Sequence, residues 1–239
     1  MIAVRALTVG YPGTSFTLGP LSAAFGGPPL VIAGLAQSGK STLLKALCGL
    51  VPASSGEIDV DDLPLVGARP QTLARLRSSF GMVFQSDALF DSMTALDNVA
   101  LPLLRRHVAK PEAFARARQA LAQVNLAEHE KVLPERLSGG MRKRLGLARA
   151  IVARPQYLLA DDPLAGLDPG TSQKVIDLLF SLWEGRGGLV IAVADPAPFW
   201  ERASEVMVLD DGKIVAHGRA AQVRSDPMVK RLFSAEAAA

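Results

Sequence analysis

The most chemically pointed segment of the chain is Gly34-Leu35-Ala36-Gln37-Ser38-Gly39-Lys40-Ser41-Thr42, which fits the pattern G-x-x-x-x-G-K-[ST]. It follows a short apolar run, Leu30–Ala33, and opens a helical stretch, Ser41–Gly49, that ends at a glycine. A loop in that context turns backbone N–H groups and a helix N-terminus onto phosphate oxygens. Lys40 is spaced to meet the terminal phosphates, and Ser41 to offer its hydroxyl to Mg²⁺. A second candidate is Tyr157-Leu-Leu-Ala-Asp161-Asp162, an apolar strand ending in two carboxylates. Two acids at a strand end say little alone. Beside a phosphate loop, Asp161 becomes the holder of the ion, directly or through water, and Asp162 faces an attacking water. The third is Leu137-Ser138-Gly139-Gly140-Met141, ahead of a basic, alanine-rich helix. Ser138 suits a helix cap. The paired glycines go beyond what capping needs and would let a phosphate approach bare N–H groups.

These residues need a scaffold, and the apolar pattern outlines it. The first 30 residues carry Gly and Pro punctuation between short apolar pieces, which reads as antiparallel strands and turns. Leu30–Ala33 reads as a strand buried on both faces. Glu57–Val60, Met82–Phe84, Tyr157–Ala160, Leu189–Val193 and Val206–Leu209 read as further strands. Residues Ser86–Ala153 change to helix. One helix carries Phe114, Ala117, Leu121 and Val124 at spacings of three and four, and another runs from about Gly140 to Val152 with Met141, Leu145 and Ala148 on one face. A further helix lies near Thr171–Trp183. Strands alternating with helices make the fold class α/β with a parallel sheet, interrupted by a helical insertion. The whole of 1–239 reads as a single domain, with residues 1–85 and 154–239 as the core and 86–153 as the helical part.

Composition narrows the partners. The chain is 49% hydrophobic, with a mean hydropathy of +0.23, a level that suggests a membrane span. The longest apolar stretches, Leu30–Gly34 and Leu189–Ala194, are strand-sized. The opening MIAVRALTVGYPG lacks the charged head, apolar core and cleavage site of a signal peptide, which places the expected locale inside the cell. One cysteine, Cys48, excludes an internal disulfide, and His107, His129 and His217 have no ligand spacing. A net charge of +3 carries no nucleic-acid footprint. Arg105-Arg106 and Arg142-Lys143-Arg144 read as solvated helix faces.

The segment beginning Leu137-Ser138-Gly139-Gly140 resembles the signature of the ABC transporter ATPase family, and other matches fall in that family's order. Tyr11 stands where an aromatic stacks on adenine, Gln85 in the Q-loop, and Gly166-Leu-Asp168 in the D-loop. The resemblance implies a P-loop NTPase (RecA-like) core with an N-terminal antiparallel β subdomain and an inserted α-helical subdomain. It implies ATP and Mg²⁺ as ligands, with the nucleotide on Tyr11 and Gly34–Thr42, and Mg²⁺ on Ser41, Gln85 and Asp161. Lys40, Gln85 and Asp162 would be catalytic. Two such subunits sandwich two ATP molecules, so Ser138, Gly139 and Gly140 would serve a partner's γ-phosphate. The second ATPase subunit is either another copy or a different chain. A membrane permease would insert a coupling helix near Gln85–Met93, along Leu89, Phe90 and Met93; plain core packing is the equal alternative for each of those three. The chain would then sit peripherally on the cytoplasmic side of the inner membrane. Phe84-Gln-Ser-Asp-Ala-Leu-Phe-Asp-Ser-Met93, Asp97-Asn-Val99, Met141 with Arg142-Lys-Arg144, and Lys213-Ile-Val-Ala-His-Gly218 look like the Mla/Mce-type lipid transporters.

Three positions depart from the family's pattern. Gln37 replaces the middle glycine of the phosphate loop, which matters if that position needs a positive φ. Asp162 replaces the catalytic glutamate, retracting the carboxylate by roughly 1 Å, a displacement that can cost about 10²-fold. Ala194, before Asp195, replaces the switch histidine, and losing one transition-state donor costs about 10²–10³-fold. Weak hydrolysis with nucleotide binding retained is therefore expected. The competing class is a nucleotide-regulated assembly subunit that binds ATP without significant turnover, paired with a competent ATPase. A role in translation or DNA repair is set aside by the modest charge and the lack of tandem domains.

Overall fold

The structure, a computed structural model, describes residues 1–11, 13, 15–184 and 186–234. It divides into two compact units: Met1–Phe80 with the described residues from 186 onward, and Gly81–Glu184.

In the first unit β1 (Ile2–Gly10) lies between β2 (Thr17–Phe25) and β4 (Ser55–Val60), antiparallel to both, with β5 (Leu63–Pro64) on the edge. The alternation of buried residues along β1 shifts between Val4 and Leu7 at a bulge, where Ala6 adopts φ 46°. Gly56 lies against that bulge; a Cβ there would come within 2.3 Å of the Ala6 carbonyl oxygen. In the second sheet β3 (Leu30–Ala33) runs parallel between β8 (Leu189–Val193) and β9 (Glu205–Asp210), and β10 (Lys213–Arg219) pairs antiparallel with β9. Every residue of β3 and β8 is buried, as continuous apolar runs in a parallel sheet demand. The helices of this unit are α1 (Lys40–Leu47), α2 (Pro70–Ser78), α7 (Ala220–Ser225) and α8 (Pro227–Ser234).

The second unit begins one residue into β6 (Phe80–Val83), whose hydrogen-bonded neighbour is β7 (Tyr157–Asp161), and holds α3 (Ala95–Leu104), α4 (Lys110–Gln123), α5 (Gly139–Ile151) and α6 (Pro169–Trp183). It is larger than the 86–153 helical segment, because β7 and α6 belong to it as well. Helices α3, α4 and α5 pack on one another. The buried stripe of α4 is Ala113, Ala117, Ala120 and Leu121. Phe114 is only half-buried, with the Lys110 ammonium 5.7 Å from its ring centroid. Small residues bring α5 close to β6: a Cβ on Gly81 would meet the Ala150 carbonyl oxygen at 2.5 Å. Among the described residues no helix is long and apolar enough to cross a membrane.

Candidate functional site

The phosphate loop occupies the turn between β3 and α1, and its glycines are set by close approach. A Cβ on Gly34 would lie 2.3 Å from the Leu209 carbonyl oxygen and 2.6 Å from Ser38 Oγ. Gly39, at φ 101°, caps α1 and would meet Leu18 Cδ1 at 2.8 Å. Gln37 adopts φ 64°, so the position does need the left-handed backbone, at about 1–2 kcal/mol for a side-chain-bearing residue. The Lys40 ammonium donates to the carbonyls of Gly34 (2.6 Å) and Leu35 (2.7 Å) and to Ser38 Oγ (3.2 Å), which lays the cation along the loop. Ser38 and Thr42 are buried, while Leu35, Ala36, Lys40 and Ser41 are partly to fully open. A cavity of about 330 Å³ follows the loop, lined by Phe16, Gln37, Gly39, Lys40, Ser41 and Thr42. Tyr11 is half-exposed with its hydroxyl 3.4 Å from Thr42 Oγ1.

Two residues here escaped the sequence reading. Phe16 brings an aromatic ring to the cavity wall, but nothing in its spacing ties it to the loop. Gly212, in the turn between β9 and β10, donates its N–H to the Ser38 carbonyl (3.2 Å) and accepts from Gly19 N–H (2.7 Å) through its own carbonyl. Its φ of 73° and a Cβ clash at 2.3 Å with the Thr17 carbonyl oxygen make glycine obligatory.

Also in the first unit, Ala194 directly follows β8, and Asp195 Oδ1 accepts from the Ala197 N–H at 2.8 Å, closing a local turn. The methyl side chain of Ala194 has no polar atom to offer. His217 lies on β10, separated from β8 by β9 and β3, with Nε2 3.8 Å from Glu205. It is no substitute for a switch histidine.

In the second unit Asp161 ends β7 and is 4% exposed, while Asp162 turns out of the strand at φ 43°. Gln85 Nε2 donates to Asp162 Oδ2 at 3.3 Å, so the Q-loop side chain and the second acid are brought together. The segment after Gln85 is bent through two successive left-handed residues, Asp87 (φ 61°) and Ala88 (φ 48°), and cations of α5 hold it. Lys143 donates to the Gln85 carbonyl and pairs with Asp87 Oδ1 at 2.9 Å. Arg149 donates to the carbonyls of Asp87 and Ala88, both at 2.7 Å, and burial pushes its guanidinium below the ordinary range. Arg144 donates to the carbonyls of Val124 (2.9 Å) and Asn125 (3.0 Å).

The basic triplet is therefore not the solvated face expected of it. Lys143 is 5% exposed and belongs to the buried stripe of α5 with Gly140 and Leu147. The spacing 140, 143, 147 is the signal that could have found it.

Ser138 caps α5 through the Met141 N–H (3.3 Å), as expected. The two glycines after it differ. Gly139 is half-buried, and a Cβ there would meet nothing nearer than 3.6 Å; on Gly140 it would meet Thr171 Cγ2 at 2.4 Å. Close packing of α5 on α6 is thus sufficient reason for the second glycine. Asp168 caps α6 and accepts from the Thr171 N–H (3.0 Å), and hydrogen bonding to Thr171 holds its carboxyl below the usual range. Asn98, fully buried, brackets the loop beyond the Q-segment. Its Oδ1 accepts from Phe90 N–H (2.9 Å), and its Nδ2 donates to the carbonyls of Phe90 (3.0 Å), Met93 (3.0 Å) and Thr94 (3.1 Å). On the loop so held, Leu89 and Met93 are half-buried and Phe90 is 49% exposed, so Phe90 is not core packing.

A phosphate loop between strand and helix, a buried acid ending a strand and a serine-capped helix with paired glycines define a class of nucleotide-binding cassette. The chain belongs to the ABC transporter family, whose model matches residues 25–165. It is 38% identical over 202 residues to the methionine import ATP-binding protein MetN of Rhizobium etli, covering 84% of this chain and 56% of that protein. The chain thus spans little more than half the length of that relative. It is 38% identical over 189 residues to the lipoprotein-releasing system ATP-binding protein LolD of Bordetella pertussis, covering 79% of this chain and 82% of the relative. Its fold is similar to a dimeric, post-hydrolysis structure of the ATP-binding cassette MJ0796 bound to ADP and Pi. There the TM-score is 0.83 and the identity 28%, over 92% of this chain and 99% of that one. The α/β P-loop NTPase architecture expected from the sequence is the one found.

Proposed function

We propose that this chain is the ATP-hydrolysing subunit of a bacterial ABC transporter, binding Mg-ATP at a dimer interface to drive membrane subunits. The observation that carries the reading is the phosphate loop itself: Lys40 laid along its carbonyls beside a cavity of about 330 Å³, at the start of α1. The nucleotide sits on Gly34–Thr42, with Tyr11 as the aromatic partner of the base and Ser138, Gly139 and Gly140 offered to the second subunit. The family resemblance assigns Mg²⁺ to Ser41, Gln85 and Asp161, whose hydroxyl, amide and carboxylate oxygens are the hard donors Mg²⁺ prefers. With its nitrogen given to Asp162, Gln85 has its amide oxygen to offer a cation. The bound ion would neutralise phosphate charge as it develops. Lys40 binds the terminal phosphates, and Asp162 accepts a proton from the attacking water. The permease docks at Gln85–Met93, on the loop that Asn98 holds, and the chain works at the cytoplasmic face of the inner membrane.

The cargo is phospholipid or a related lipid, carried by an Mla/Mce-type system. Support comes from the Phe84–Met93, Asp97-Asn-Val99 and Met141–Arg144 resemblance, and LolD, a relative named for lipoprotein release, is compatible with it. MetN, named for methionine import, is the rival direction. Purifying the chain with its permease and identifying co-purified small molecules separates them; bound methionine with no lipid overturns the lipid reading.

Hydrolysis is slow in this reading, because Gln37 holds a strained φ, Asp162 is short, and Ala194 offers no donor. These same residues favour the second reading, an assembly subunit that closes on ATP beside a competent partner. Mg-ATP turnover by the purified chain decides. A rate of about 1 s⁻¹ or more, ordinary for an enzyme, removes both slow hydrolysis and the assembly role.

A further inference from the structure

We propose that Lys143 is a positioning residue for Gln85, acting through the main chain of the Q-segment; the inference rests on the ATPase reading above. Lys143 is 5% exposed, and an ammonium at that depth is strongly destabilising unless it is paired and hydrogen-bonded. Both conditions are met on one short stretch of chain: the Gln85 carbonyl, and the Asp87 carboxylate at 2.9 Å. Arg142 Nε adds a second, looser charge to Asp87 at 3.7 Å. Arg149 takes the carbonyls of Asp87 and Ala88.

The stretch needs such a clamp. Asp87 and Ala88 are consecutive left-handed residues without glycine, and strain of that kind persists only where the surroundings over-determine it. Of the three cations only Lys143 holds the carbonyl of Gln85 itself. It thereby fixes the origin from which the Gln85 side chain reaches Asp162. A displacement of about 1 Å at that origin is enough to cost up to about 10²-fold when the group is catalytic. Lys143 touches neither nucleotide nor water in this scheme; it works through Gln85.

The test compares the full chain with its Lys143→Met variant by hydrogen exchange and by Mg-ATP turnover. Exchange at the Gln85–Leu89 amides should rise about 10-fold while amides in the core of α5 stay protected. In parallel kcat should fall about 10-fold with KM unchanged, since the loss is one of positioning rather than binding. Lys143→Gln, which keeps a donor for the Gln85 carbonyl without the charge, should restore part of both, and it carries the comparison if Lys143→Met does not fold. Unchanged exchange at Gln85–Leu89, or a rise spread evenly over residues 81–184, overturns the proposal. Absence of turnover in the unaltered chain would instead sink the ATPase reading, and the exchange comparison would still decide the role of Lys143.

Discussion

Lys40 meets an incoming anion with its ammonium already hydrogen-bonded to Gly34, Leu35 and Ser38, so phosphate binding exchanges acceptors around a cation that is in place. Removing a charge-assisted contact of this kind costs about 1.5–3 kcal/mol. Lys40→Ala is therefore expected to weaken Mg-ATP binding by about 10- to 100-fold by calorimetry; unchanged affinity would remove the loop from the site. The departures at Asp162 and Ala194 differ in how easily they revert. Residue 162 is left-handed, a conformation in which Asp is more at home than Glu, so Asp162→Glu restores reach at some backbone cost. Ala194→His carries no such cost. The double variant should raise turnover by at least about 10²-fold, with most of the gain from position 194. No gain would point to Gln37 or to a defect outside these motifs. Cys48, on the other hand, is inert: burial pushes its thiol up to about 11, so its reactive thiolate forms only in strong alkali. Labelling by iodoacetamide should stay slow at pH 8 and accelerate as pH climbs towards that value, unless the chain is unfolded first.

At the scale of elements, two packing contacts do the positioning. Gly140 lets α5 approach α6, and Gly140→Ala should cost about 1–3 kcal/mol in urea denaturation, as overpacking does. Thr171→Ser removes the methyl that the new Cβ would strike, so the double variant should recover most of that loss. Asn98 satisfies three carbonyls and one N–H from a fully buried position. Asn98→Ala should cost about 2–4 kcal/mol, given that each stranded buried group costs about 1–3, and should loosen Phe90 towards proteases.

These contacts mark what a sequence conveys. Strands β3 and β8 were legible because continuous apolar runs between turn residues have few other uses, and α1 because the phosphate loop announces it. The demand for a positive φ at Gln37 was legible from the residue it replaces. Lys143 was not, because three basic residues in a row look solvated unless the buried stripe is traced through the middle one. Phe16 and Gly212 were hidden for another reason. Each reaches the loop through tertiary neighbours far away in the chain, and neither belongs to a pattern that local spacing displays.

For the molecule as a whole, a high hydropathy without any membrane-crossing helix among the described residues has a concrete source: β3, β7 and β8 are buried at every position. Association should depend on nucleotide if Ser138–Gly140 complete a partner's site. With Asp162→Asn blocking turnover, Mg-ATP should convert the chain to a species of twice its mass in sedimentation, and Lys40→Ala should prevent that. A species unchanged by Mg-ATP in the Asp162→Asn chain would argue for a heterologous partner.

Strand β3 pairs on one side with Leu189–Val193 and on the other with Glu205–Asp210. During synthesis it therefore leaves the ribosome long before either partner exists. At ordinary elongation rates the wait is about 8–30 s, during which Gly81–Glu184 is translated and free to collapse by itself. Four consecutive apolar residues with both edges unpaired are, for that interval, a sticky ribbon. The nascent chain should be a client of ribosome-associated chaperones, and a message truncated before codon 189 should yield aggregate rather than a folded half.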